Sequence, residues 1–132
     1  MAITAIKKLA NLSGASVRVV NCENTNTRGS GVIVPQNSSI DTDMWIPWCA
    51  SSEDFNCGHY IILETSPALE YPELLRPMFW IWQAAHNDGD FVRLSTSGRY
   101  ENPGNRIGGL STVGGDRRMV VTDSGIALEQ VF

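Results

Sequence analysis

A chain of 132 residues, 42% hydrophobic and 18% charged, has the length of one domain and enough apolar surface to bury a core of its own. A net charge of −4 and a pI of about 5.0 argue against a nucleic-acid partner, whose backbone demands clustered lysine and arginine. No apolar run reaches the length of a membrane-spanning helix, and the first eight residues lack the order of a cleaved secretion signal.

The expected setting is therefore the cytoplasm, or release without a cleaved signal peptide. Three cysteines, Cys22, Cys49 and Cys57, fit reduced thiols in such a setting, although Cys49 and Cys57 flank a short polar segment and are candidates for pairing under oxidation. There is no C-x-x-C, and no structural zinc site is expected.

Taken in order, residues 3–9 alternate loosely, Asn11-Leu12-Ser13-Gly14 is a turn signal, and Ser16–Asn21 alternates clearly. This predicts an opening hairpin. A competing pattern, an amphipathic helix with Ile3, Ile6, Leu9 and Ala10 on one stripe, also fits the first segment. Residues 21–31 form a polar loop, Gly31–Val34 a short strand ended by Pro35, and 36–41 another loop. Asp43–Trp48 reads as an aromatic strand that Pro47 places at an edge or ends.

Ser51-Ser52-Glu53-Asp54 carries a helix-start pattern, and His59–Glu64 is a strand. Leu69–Leu75 predicts a short helical turn between prolines. Met78–Gln83 is the most apolar stretch. In a strand, Phe79, Ile81 and Gln83 face one way and Met78, Trp80 and Trp82 the other, so both faces are covered, or one meets a ligand. Phe91–Ser95 is a strand, Tyr100–Leu110 a connection rich in glycine, proline and asparagine, and Gly114-Gly115 a hairpin signal. Arg118–Val121 and Ile126–Val131 are strands joined by Asp123-Ser124-Gly125.

Eight to ten short strands at regular spacing predict an all-β fold: a single β domain over 1–132, an antiparallel two-sheet β-sandwich of jelly-roll-like type, with a β-trefoil or a small β-barrel as alternatives. A shift of 75 residues superposes Val17-Arg18 on Val92-Arg93 and Met44 on Met119, a faint correspondence between two β halves. The acids cluster between Gly29 and Leu75, and five arginines lie between Phe91 and Arg118, which predicts that the two halves complement each other in charge.

The candidate chemistry points away from catalysis. Cys57-Gly58-His59 offers a thiol and an imidazole with no third orienting group, and no nucleophile elbow, P-loop or zinc-protease motif occurs. The protein is expected to be no enzyme, with no cofactor and no metal. Asp41-Thr42-Asp43 and Asn87–Asp90 space hard oxygens closely, but both lack the twelve-residue calcium loop and read as turns.

Carbohydrate binding requires flat apolar plates for C–H faces and planar polar groups for hydroxyls. Trp45, Trp48, Trp82, Gln83, Asn87, Asp88 and Tyr100 are the candidate ligand-binding residues, with at least two of the four tryptophans expected in the core. The expected partner is a glycan or a lipid headgroup, the latter reached by Trp48, Tyr71 or Tyr100 at loop tips. In architecture the chain resembles small signal-less β-sandwich lectins and pore-forming or defence proteins of fungi and bacteria, several of which open as Asn11-Leu12-Ser13-Gly14 and its alternating valines do here. The resemblance is one of architecture alone; it carries no residue role and gives no function. A carbohydrate-binding, lectin-like function is the first expectation, a membrane-active or insecticidal toxin component the second, and a self-associating homo-oligomer the third.

Overall fold

The computed structural model describes residues 4–23, 31–66, 76–84, 91–101 and 105–131. Two mostly antiparallel sheets pack face to face, and no barrel closes among the described residues. The strands are β1 (Thr4–Asn11), β2 (Ser16–Asn21), β3 (Val32–Val34), β4 (Ser38–Trp45), β5 (Trp48–Cys49), β6 (Ile61–Ser66), β7 (Arg76–Ala84), β8 (Val92–Ser95), β9 (Asn105–Arg106), β10 (Gly108–Gly109), β11 (Gly115–Thr122) and β12 (Gly125–Gln130). Among the described residues one helix, α1 (Ser52–Asn56), interrupts them. The first sheet runs β10-β12-β11-β1-β4; the second runs β3-β2-β6-β7-β8-β9, with β5 added beside the end of β7.

The predicted opening hairpin does not form. β1 is a strand, but it pairs in parallel with β11 and antiparallel with β4, while β2 belongs to the other sheet beside β3 and β6. The turn signal at Asn11–Gly14 instead carries the chain from one sheet to the other. Asn11 is buried and supplies the reason: its amide donates to the carbonyls of Ala15 and Val34, and its Oδ1 accepts from the amide and hydroxyl of Ser13. The residue fastens β3 of the second sheet to the end of β1. The hairpin expected at Asp123-Ser124-Gly125 does form, with Thr122 opposite Gly125 and Met119 opposite Leu128. Gly114-Gly115 is no hairpin; it leads into β11, the partner of β1.

Alternation along β1 explains both of its faces. Ile6 and Leu9 enter the core, and Lys7 and Lys8 both face out, because the pairing slips between Ile6 and Lys8. That bulge lets two consecutive lysines share the solvent side without turning Leu9 outward. The main core is then assembled from Ile6, Leu9, Met44, Met119 and Leu128 of the first sheet and Val17, Val19, Leu63, Ile81 and Val92 of the second.

From Ile81 to Ala84, β7 is covered on both faces. Ile81 and Phe79 meet the core between the sheets, while Trp82, 1% exposed, joins Cys49 and Phe55 in a second cluster on the opposite face. α1 forms the lid of that cluster. Ser51 caps it by accepting from the Asp54 amide, and Phe55 meets Trp82 edge-on with centroids 5.6 Å apart. Trp80, Tyr60 and Tyr100 pack around the same cluster.

Several short elements were not legible as strands. β4 starts at Ser38, inside the expected loop 36–41, and β9 and β10 lie within the glycine-rich connection. At Gly109 a side chain is excluded: φ is +78° and a Cβ would stand 2.2 Å from the Leu128 carbonyl oxygen. The helical turn expected at Leu69–Leu75 lies outside the described residues. Cys49 and Cys57 are free thiols, so the pairing considered for them is not formed. No helix of the described residues is long and apolar enough to cross a membrane.

Candidate functional site

Between β4 and β5 the chain leaves one sheet for the other through Ile46 and Pro47, which puts Trp45 on the first sheet and Trp48 on the second. Opposite residues in a ladder share a face, so the pairs Ala5–Trp45 and Ala5–Asp116 set Trp45 and Asp116 on the outer side of the first sheet, flanking Ala5. They are two strand spacings apart, about 10 Å at the backbone. The methyl of Ala5 leaves the space between them open. The second sheet closes the groove from its own side: Trp48 is the parallel partner of Gln83 on β7.

The resulting concavity measures about 770 Å³ and is lined by Ala5, Lys7, Asp43, Trp45, Ile46, Trp48, Gln83 and Asp116. Two other concavities, both bordered by the β11–β12 turn, measure about 270 and 290 Å³. The size falls within the range of small-molecule sites, and the lining joins aromatic plates to a few polar groups.

The base of the groove is fixed by a buried polar bridge. Thr4 Oγ1 donates to Gln83 Oε1 at 2.7 Å and accepts from the Gly114 amide at 2.6 Å, and Gln83 Nε2 donates to the Ile46 carbonyl. Thr4 and Gln83 are 0% and 1% exposed, so this bridge links β1 to β7 out of contact with water. Gln83 is thus a structural strut at the groove wall, its amide already occupied.

The rim carries the charges. Lys7 donates to Asp43 at 2.8 Å, and that hydrogen bond, reinforced by the charges of Asp43 and Asp116, raises the Lys7 pKa above its ordinary value. Lys8 and Asp41 lie 3.8 Å apart on the same strand pair. These acids are therefore answered by the lysines of β1, and not by the arginines of the second half. Trp45 is 37% exposed; its indole N–H donates to Glu23 at 2.9 Å, and the other oxygen of Glu23 stands 3.3 Å from His59 Nδ1. His59 Nδ1 is also 3.3 Å from the Trp48 carbonyl. Glu23 and His59 thereby tie the two tryptophan-bearing segments together. The indole N–H of Trp48 is buried and meets no acceptor among the described residues.

Of the seven residues singled out in the sequence, Trp45, Trp48 and Gln83 come together in this groove. Trp82 and Tyr100 lie elsewhere, packed against each other at 5.7 Å in the cluster beneath α1, and Trp82 offers no face to a ligand. Asn87 and Asp88 lie outside the described residues, as does Tyr71. Sequence reasoning left out Lys7, Asp116 and Glu23. Asp43 begins the same aromatic stretch as Trp45 and Trp48, Asp43–Trp48. No local signal marks Asp116, because its place beside Ala5 depends on pairing across almost the whole chain.

Cys57 is exposed, and His59 is turned toward Glu23 and Trp48, while Cys49 is buried and its thiol is pushed up to about 11 by burial. Among the described residues no group of three or more His, Cys, Asp or Glu side chains is placed to hold a metal ion. Comparison with known protein families, with characterised proteins and with solved structures finds no match to this chain.

Proposed function

We propose that this protein is a non-enzymatic recognition domain that binds a saccharide in the groove between Trp45 and Trp48. The observation that carries the reading is the convergence of two indoles with Asp43, Asp116 and Lys7 around an open trough floored by Ala5. Sugar rings present C–H faces to aromatic plates and hydroxyls to planar carboxylates, and both kinds of surface are present at a separation of about one pyranose ring. Glu23 holds the Trp45 indole in place before a ligand arrives, which reduces the ordering cost of binding.

A glycan array with the folded protein tests the reading directly. Trp45→Ala should weaken binding by roughly ten- to a hundredfold, the loss of one stacking plate. Ala5→Phe should abolish binding by filling the trough while both tryptophans remain. A blank array, or retained binding in Ala5→Phe, removes the groove as a glycan site.

A second reading rests on β4. It is an eight-residue strand at the edge of its sheet, and such an edge can pair with another copy. Sedimentation of the folded protein separates the two: a dimer that Trp45→Ala dissociates favours the interface. The membrane-active reading has only the partly exposed tryptophans in its support, and liposome binding decides it.

A further inference from the structure

We infer that the groove selects a saccharide carrying a protonated amine over its neutral and anionic counterparts. This rests on the saccharide reading above and adds the sign of the ligand's charge. The lining holds two carboxylates, Asp43 and Asp116, against one ammonium, Lys7, and so carries a net negative charge. The Lys7 ammonium is bound to Asp43 at 2.8 Å, so each largely cancels the other and Asp116 is the lining carboxylate left to set the sign.

The aromatic walls act in the same direction. The face of an indole carries the negative lobe of its quadrupole and attracts a cation, more strongly for tryptophan than for the other aromatics. Glu23, at the edge of the Trp45 ring, adds a further carboxylate outside the lining; His59 faces it at 3.3 Å and adds a positive charge only when protonated. A carboxylated or sulfated sugar would enter against Asp116 beside the indole of Trp45. An ammonium group placed between Asp116 and Trp45, over Ala5, meets a carboxylate on one side and an indole on the other.

The experiment compares a glucosamine tetramer, its fully N-acetylated counterpart and an oligogalacturonate by titration calorimetry at low salt. The amine form should bind roughly five- to tenfold more tightly than the N-acetylated form, a cation–π contact together with one solvent-exposed charge pair, and the uronate should bind most weakly. The preference should shrink with added salt and as pH rises through the amine's own pKa. Asp116→Asn should lower the ratio of amine to N-acetyl affinity, and Lys7→Gln should raise it.

Equal or better binding of the N-acetylated or uronate ligand overturns the inference and leaves the saccharide reading standing. So does a preference that neither Asp116→Asn nor Lys7→Gln alters. Amine binding that persists in Ala5→Phe would be general attraction to an acidic protein and also overturns it. Absence of binding by all three, with a blank array, removes both.

Discussion

Trp48 combines two roles that pull in opposite directions. Its ring lines the groove, yet its indole N–H is buried and meets no acceptor among the described residues, a situation that costs about 1–3 kcal/mol. Trp48→Phe keeps an aromatic plate and removes the stranded donor. Chemical denaturation should show the variant equal to or about 1 kcal/mol more stable than the parent. A loss of more than about 2 kcal/mol would mean that the donor is satisfied or that the larger ring fills space essential to packing.

Cys49 makes a second residue-scale prediction. Burial raises its thiol from 9.0 to about 11, so the folded chain keeps a proton that the unfolded chain has released. The folded state binds more protons in that window, and stability must therefore fall as pH rises from about 9 to about 11. Below pH 9 the contribution is fully present. Denaturation midpoints measured across this range should drop less steeply in Cys49→Ala than in the parent. In the native protein the exposed Cys57 should react with a thiol reagent at once, and the buried Cys49 only on unfolding.

At the scale of elements, the connection from β1 to β2 and the lid over β7 are the two devices that give the sandwich its shape. Asn11 makes four hydrogen bonds within the first of them. Asn11→Ala leaves buried carbonyls and the Ser13 hydroxyl without this partner, and should cost about 2–4 kcal/mol in a denaturation experiment. Asn11→Asp should not rescue it, since Ala15 and Val34 present acceptors to the amide nitrogen.

The lid depends on Trp82, whose burial is worth roughly 4–6 kcal/mol by area. Trp82→Ala should cost about 3–5 kcal/mol and expose Phe55 and Tyr60, seen as altered near-UV circular dichroism. Glycan binding by whatever Trp82→Ala remains folded should persist, because the groove lies on the other side of β7. Loss of binding out of proportion to the folded fraction would tie the two faces together. Elements with a strong local pattern were read correctly from their residues: Ser51 as a cap, Met78–Gln83 as a strand with two apolar faces, and the turn at Asp123-Ser124. Elements whose pattern is weak, such as the polar first half of the edge strand β4 and the two-residue β9 and β10, were read as loops because pairing, and not composition, makes them strands.

For the whole molecule, the pairing of β1 with β11 joins Thr4 to Gly115 and closes nearly the full length of the described chain. The entropy of such a closure has to be met before the contact forms, and folds dominated by non-local pairing refold slowly. Stopped-flow refolding should fall in the range of about milliseconds to seconds, with substitutions in β1 slowing folding if that pairing belongs to the transition state. Microsecond refolding would show that local hairpins, chiefly β11–β12, carry the nucleus.

The division between chain and fold follows from the same distance argument. Strand periodicity, turn chemistry and the absence of long helical stripes are local properties, so the all-β class and the two apolar faces of Met78–Gln83 were determined by the residues themselves. The sheet to which each strand belongs was not. Asn11–Gly14 serves a hairpin or a crossing between sheets equally well, and only the distant β11 decided in favour of the crossing. The groove is a product of that decision: Asp116 reaches Trp45 across Ala5 because β1 lies between β11 and β4, and Trp48 reaches Gln83 because the chain changes sheets at Ile46 and Pro47. Tertiary pairing likewise sent Trp82 and Tyr100 beneath α1. A tryptophan has the same affinity for a core and for a ligand, and its sheet face selects between them.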